Sequence, residues 1–319
     1  MNYSLRPETA AAFRGKTVLL TGSAGFLGRH FSAALEGAGA KVKGFDIATG
    51  ADVADPEYWS IVGHYDEDFV LCGAGIASPF HYRAKPLKAL DAAAAGARNA
   101  LEYCRTMAGD FRKKPKLLFL SSSEIYGNPD KNNVPTLESY RGNVSCTGPR
   151  ACYDESKRLG ETLCTIYHEH FGVHAVTVRP FNGYGPGMSA TDYRVLPNWR
   201  EAIRKGEPLR IYGNGNQTRT FCYVTDLVRG CLEALAHGEP GPYNIGAPGP
   251  EVSMLELAAI LGRVVGKPLD FVRIDHPDTY PADEPQRRCP DIRKAREHFG
   301  FEPVVSLEDG LREFMNEAT

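Results

Sequence analysis

No two of the eight cysteines in this 319-residue chain stand in a C-x-x-C spacing. Cys72, Cys104, Cys146, Cys152, Cys164, Cys222, Cys231 and Cys289 are scattered, which argues against a zinc ribbon or a dithiol redox centre, and no metal site is expected. Cys104, Cys164 and Cys231 lie among apolar residues of helical spacing, where a free cysteine acts as a small hydrophobe. A reducing cytoplasm is the simplest setting for such usage. There is also no charge excess: 37 basic and 39 acidic side chains leave a net −2. That balance gives no electrostatic reason to expect nucleic acid or an anionic membrane as partner, so any anion must be held by a few placed arginines and helix N-termini. No apolar run approaches the roughly 20 residues of a membrane span. Met1–Ala12 is polar and mixed, lacks the apolar core of a signal peptide, and reads with the next two residues as a frayed or loosely docked lead-in. Repeats, low-complexity tracts and obvious linkers are absent too. What remains is an ordinary globular composition, 42% hydrophobic, at a length that suits one large α/β domain with a smaller lobe.

The pattern along the chain alternates. Lys16–Thr21 reads as a short buried strand, 22–28 as a glycine-rich turn, Phe26–Ala38 as a helix and Lys41–Asp46 as a second strand, together one β-turn-α-β unit. Phe69–Leu71 is a third strand. Pro86–Met107 is a long alanine-rich helix with proline suited to its first turn. Lys116–Leu120 is a fourth strand, Ala151–Phe171 another long helix and Val173–Val178 a strand of β-branched residues. Such alternation implies a doubly wound parallel sheet covered on both faces. After Arg179 the rhythm changes: Pro180–Asn216 is rich in Gly, Pro, Asn and Tyr, with one helix near Leu196–Lys205. Asp226–Ala236 returns to helix, and 247–319 reads as short helices with proline and charge between them. The expected division is a Rossmann-type domain of residues 13–180 with about 222–246, and a smaller α/β lobe of 181–221 and 247–319.

Gly22, Gly25 and Gly28 form G-x-x-G-x-x-G after a strand and before a helix. Glycines permit the tight turn and let a pyrophosphate approach backbone N–H groups, with the helix N-terminus, including Phe26 and Leu27, facing the negative charge. A bare glycine pattern is weak evidence; its placement makes it a dinucleotide site. Asp46 ends the second strand some twenty residues on. A carboxylate there accepts from ribose hydroxyls and repels a 2′-phosphate, favouring NAD over NADP. Asp52 and Val53 are further candidates for the adenosine end.

Tyr153 and Lys157 form Y-x-x-x-K, so both project from one helix face. An ammonium beside a phenol stabilises the phenolate and makes it a usable base near neutral pH. Alone, such a pair is commonly surface packing; the glycine turn upstream argues otherwise. Ser121–Glu124 follows the fourth strand, where open parallel sheets bind ligands. Ser122 can bond the oxygen being oxidised and Glu124 can act as acid or base or hold water, although serines here also suit a helix N-cap.

These residues together resemble the extended short-chain dehydrogenase/reductases, and within them the UDP-glucuronate decarboxylase branch (UDP-xylose synthases). The resemblance covers nearly the whole chain. It rests on Ala77–Tyr82 (ASPFHY), Ser121–Gly127 (SSSEIYG), Gly148–Lys157 (GPRACYDESK), Arg179–Pro186 (RPFNGYGP), Ile211–Asp226 (IYGNGNQTRTFCYVTD) and Asp283–Ile292 (DEPQRRCPDI). It implies that bound NAD oxidises C4 of a UDP-sugar while Tyr153 takes the hydroxyl proton, that the resulting β-keto acid loses carbon dioxide, and that the ketone is reduced again or released. Ser122 stands where the family usually has threonine; Ser123 and Glu124 match. Arg288 matches the arginine facing the sugar carboxylate. Asn182, Arg194 and Arg219 match positions near the diphosphate or its sugar, and Tyr82 and Tyr212 match walls of the substrate pocket, Tyr212 at the base. The two long helices resemble those that pair into a four-helix bundle in a homodimer.

Two departures bear on the chemistry. The stretch between Asp46 and Val53 is shorter than the family's, and Asp91-Ala92-Ala93 replaces a Lys-Thr-Asn, exchanging a cation near the substrate for an anion. The alternatives are an NAD-dependent 4-epimerase, a 4,6-dehydratase, or a non-catalytic nucleotide-sugar-binding protein. Dehydratases of this superfamily carry Asp-Glu where this chain has Ser123-Glu124; intact Tyr153 and Lys157 argue against an idle protein.

Overall fold

A computed structural model of the chain describes residues 3–62, 65–111, 113–275 and 285–316. The chain opens with α1 (Pro7–Phe13), β1 (Thr17–Thr21), α2 (Phe26–Gly37), β2 (Lys41–Phe45), α3 (Pro56–Val62), β3 (Phe69–Cys72), α4 (Pro79–Ala84), α5 (Pro86–Asp110) and β4 (Lys116–Leu120). Next come α6 (Ala151–Phe171), β5 (His174–Pro180), β6 (Gly183–Tyr184), α7 (Val195–Lys205), β7 (Leu209–Tyr212), β8 (Thr218–Arg219), β9 (Cys222–Tyr223) and α8 (Val224–His237). It ends with β10 (Gly241–Ile245), β11 (Val252–Ser253), α9 (Met254–Val265), β12 (Phe271–Ile274), β13 (Arg287–Arg288), α10 (Arg293–Phe299) and α11 (Leu307–Met315).

The central sheet has six parallel strands in the order β10-β5-β4-β3-β1-β2. The inner strands β1, β3 and β4 are apolar and buried on both sides because side chains alternate across a pleat and both faces are covered. Val18, Leu20, Leu118 and Leu120 pack with Phe31 and Leu35 of α2 and Val228, Cys231 and Leu232 of α8. Leu19, Val70, Leu117 and Phe119 pack on the other side with Ala97, Leu101 and Cys104 of α5 and Cys164 and Tyr167 of α6. The fold is therefore α/β of the Rossmann type. The strand order reverses between β1 and β3, so the crevice beyond their carboxyl ends is where a ligand is expected. Among the described residues no helix is long and apolar enough to cross a membrane.

Three smaller sheets follow: β11-β8-β13, β12-β7 and β6-β9. The smaller lobe was expected to be α/β, but these two- to four-residue strands are too short to show a period, so none of them was located in the sequence. The start of the chain is docked, against the expectation from its sequence. It is not a loose lead-in: Pro7 opens α1, Phe13 is fully buried against Phe69 with ring centroids 4.9 Å apart, and Arg6 donates to Glu233 at 3.1 Å and to Phe299 O at 2.5 Å.

Candidate active site

The carboxyl ends of β1, β3, β4 and β5 and the segments 182–199 and 210–221 enclose a cavity of about 1130 Å³. That exceeds the roughly 300–1,000 Å³ usual for a small-ligand site and suits two large ligands together. All the residues singled out from the sequence line it, from Gly22 in the glycine turn to Arg288.

At one end lies the glycine turn. Gly22 has φ +74°, and a Cβ there would meet Ala74 backbone at 2.9 Å; a Cβ on Gly28 would lie 2.0 Å from Gly22 O. The first N–H groups of α2 carry no side-chain cap, as an anion-binding helix start requires. Thr21 Oγ1 accepts from Gly73 N and Ala74 N at 3.0 and 3.1 Å, tying the ends of β1 and β3. Asp46 braces the turn: its carboxylate accepts from Ala24 N at 2.9 Å and from Ala48 N at 2.8 Å. Each oxygen keeps a second lone pair for a ribose hydroxyl. The short stretch after Asp46 winds into a 3-10 turn, Ile47–Thr49, and Asp52 and Val53 follow on the cavity wall. These features fit the adenosine diphosphate half of NAD.

In the middle stand Tyr153 and Lys157 on one face of α6, both buried. Lys157 Nζ donates to Leu120 O at 2.7 Å and sits 5.1 Å from the centroid of the Phe119 ring. Gly160 lets α6 close on β4 here, since a Cβ would meet the Phe119 ring at 2.3 Å. The Tyr153 ring stacks on Tyr82 with centroids 5.2 Å apart and planes 8° from parallel. Burial pushes the Lys157 ammonium down to about 8 and pushes the Tyr153 phenol up, opposed by the hydrogen bond from Ser122. A depressed phenol was expected from the spacing; loss of water instead outweighs the Ser122 bond and the charges of Arg194 and Arg150. Ser122 also caps the 3-10 turn Ser123–Tyr126, its Oγ accepting from Glu124 N at 3.1 Å, so the capping expected of a serine here is present beside its bond to Tyr153. Behind it, Ser121 Oγ donates at 2.6 Å to Glu161, which Arg179 grips with two bonds of 2.9 and 2.6 Å.

At the far side Arg288 is buried. Parallel pairing of β13 with β8 sets it beside Arg219. Its guanidinium lies 2.6 Å from Glu124 Oε1 and donates to Ser123 Oγ at 3.2 Å and Gly127 O at 3.1 Å. Arg219 donates to Thr218 O and Pro285 O. Asn182, held at φ 37°, donates to Thr220 O at 2.8 Å. Arg194 is already forked onto Asp192 at 2.6 and 2.5 Å, and Tyr212 ends β7 with 40% of its surface exposed. Within the Asp283–Ile292 motif, Asp283 and Glu284 lie outside the described residues.

With this geometry in hand, comparison with known proteins is decisive. Residues 18–246 match the NAD dependent epimerase/dehydratase family. The chain belongs to that family. It is similar to UDP-glucuronic acid decarboxylase 1 of Xenopus tropicalis, 37% identical over 93% of this chain and 70% of that protein. UDP-glucuronic acid decarboxylase 1 of Arabidopsis thaliana is 38% identical over 92% of this chain and 68% of its own length. Among solved structures, UDP-glucose 4-epimerase of Thermotoga maritima with UDP-glucose superposes with a TM-score of 0.84 at 25% identity, covering 94% of this chain and 97% of that one. This family member uses NAD.

Several cavity residues escaped the sequence reading. Arg150, three residues before Tyr153, is buried and paired with Glu124; its place inside GPRACYDESK was the available signal. Phe80, His81 and Tyr193 meet across the rim, with Phe80 and Tyr193 centroids 4.2 Å apart and His81 Nε2 donating to Thr191 O at 3.0 Å. Asp91 does line the cavity, but Lys85 and Lys88 line it too, so the wall of α5 is not left anionic.

Proposed function

We propose that this protein decarboxylates UDP-glucuronate, using NAD, through a 4-keto intermediate to UDP-xylose or a UDP-4-keto-pentose. The observation that carries this reading is Arg288: a buried guanidinium held on Glu124, two residues from the serine that bonds Tyr153. That puts a cation for a C6 carboxylate within reach of the machinery for C4. A 4-epimerase acting on a neutral hexose has no use for it. We take residues 13–180 with 222–246 as the cofactor domain and 181–221 with 247–319 as the sugar-nucleotide lobe.

In this reading the glycine turn and the start of α2 (Gly22, Gly25, Phe26, Leu27, Gly28) hold the pyrophosphate, and Asp46, Asp52 and Val53 hold the adenosine. When bound, NAD supplies a hydride acceptor for C4 and a cationic ring that pulls the Tyr153 phenol back down. Tyr153 Oη removes the proton from the C4 hydroxyl, Ser122 holds that oxygen, and Lys157 steadies the phenolate while bonded to Leu120 O. A 4-keto uronate is a β-keto acid. Breaking C5–C6 releases carbon dioxide and leaves the electron pair spread onto O4, where Ser122 and Tyr153 donate hydrogen bonds. Glu124 delivers or places the proton that C5 then takes. Asn182, Arg194, Arg219 and Tyr212 hold the UDP portion, and Tyr82 walls the sugar. The exposed apolar side chains Leu87 and Leu90 on α5 and Leu159 and Ile166 on α6 support a homodimer joined through a four-helix bundle. Eight free cysteines favour a reducing compartment such as the cytoplasm.

The test is incubation with UDP-glucuronate and NAD, following carbon dioxide and nucleotide-sugar products by mass spectrometry. A UDP-pentose with carbon dioxide release is expected, and Tyr153→Phe should bind nucleotide without turnover. A UDP-hexuronate epimer with its carboxylate intact would overturn the assignment.

A further inference from the structure

Glu124 is gripped from two sides. One oxygen faces Arg288, 2.6 Å away, and the other faces Arg150. Arg150 precedes α6, and its other flank lies 3.7 Å from Asp154, so Asp154, Arg150, Glu124 and Arg288 form a chain of alternating charge. Arg150, Asp154 and Arg288 are each no more than 5% exposed. Removing charges from water is costly unless each is paired, and here each has an opposite neighbour.

The two arginines are anchored differently. Arg288 also donates to Ser123 Oγ and Gly127 O, contacts that do not involve Arg150. Arg150 instead joins Glu124 to the helix that carries Tyr153 and Lys157, since Tyr153 N and Asp154 N both donate to Arg150 O, at 2.9 and 3.0 Å.

We propose that Arg150 is a positioning residue for the reaction: it fixes the direction of the Glu124 carboxylate relative to Tyr153 and the sugar, and acts through Glu124 rather than on the substrate. This rests on the decarboxylase reading. Without Arg150, Arg288 stays anchored and the sugar carboxylate keeps its cation, while Glu124 loses one of its two fixed partners. The effect therefore belongs in kcat and not in KM.

The experiment is a double-mutant cycle on full-length enzyme with NAD, using Arg150→Met, Glu124→Gln and the pair. Arg150→Met should lower kcat roughly 10- to 100-fold, the scale of a misplaced catalytic group, with KM for UDP-glucuronate within about threefold. The double variant should fall within about threefold of Glu124→Gln alone, because coupled residues are not additive. Arg150→Lys retains a cation for Glu124 and should recover part of the loss; it replaces Arg150→Met in the cycle if the latter does not fold. Losses that multiply across the cycle, or a loss confined to KM, would overturn the proposal. Turnover of the wild type on UDP-glucuronate tests the decarboxylase reading separately, and the cycle can be run with any nucleotide sugar the wild type oxidises.

Discussion

Lys157 holds its charge where water does not reach it. It has a carbonyl, Leu120 O, and two aromatic rings for company, and burial brings its ammonium from the usual 10.5 to about 8. A lysine depressed on folding adds nothing to stability below about pH 8, where both states are protonated and the full cost of the buried charge is felt. The cost fades as pH rises through 8 and is gone above the unfolded value. Lys157→Met should thus be inactive yet more stable than the wild type at pH 7, by on the order of 3 kcal/mol less the lost bond to Leu120 O. The advantage should shrink between pH 8 and 10.5. Denaturant melts of both proteins across that range check this; a pH-independent difference would mean that the lysine is solvated. The Y-x-x-x-K spacing was legible in the sequence, since helical geometry alone puts the pair on one face. The direction of the tyrosine shift was not, because it depends on how much water the folded chain excludes.

Among the elements, the glycine turn is the one whose sequence and geometry agree most closely. Each glycine answers a measurable approach of backbone to backbone, tightest at Gly28 against Gly22 O. Gly28→Ala should cost about 1–3 kcal/mol of stability, as overpacking does, and should abolish NAD binding by displacing the start of α2. Calorimetry of unfolding and of NAD binding tests both; unchanged values would show that the turn has slack. Five of the six strands of the parallel sheet were readable from short runs bounded by turns; β10, Gly-Pro-Tyr-Asn-Ile, has no such apolar run and was not. β8 and β13 were not, being two residues each, yet their pairing is what sets Arg219 and Arg288 side by side. The first helix was misread because a seven-residue segment with one large apolar side chain has no period to detect, and Phe13 is ordered only by the rings it meets.

For the whole molecule, two surfaces matter: the cavity between the sheet ends and the later segments, and the outer face of α5 and α6. Leu87, Leu90, Leu159 and Ile166 are between 38% and 74% exposed on these two helices, and the proposed four-helix bundle would cover them. Light scattering should give a dimer for the wild type, and Leu159→Glu with Ile166→Glu should give a monomer. A monomeric wild type would leave these side chains without the role assigned to them.

Local rules were enough to determine the α/β class and to pick out the glycine turn and the Tyr153–Lys157 pair as candidates, because strand-turn-helix geometry and helical spacing act over a few residues; the family came from the likeness of whole motifs. Only the tertiary structure decided which charges are buried and with whom. Glu124 meets Arg150 from 26 residues away and Arg288 from a strand 164 residues on, an encounter that sheet topology creates and no spacing in the sequence announces. Burial then turns those encounters into chemistry, since removing water makes each ion pair obligatory and each unpaired charge expensive.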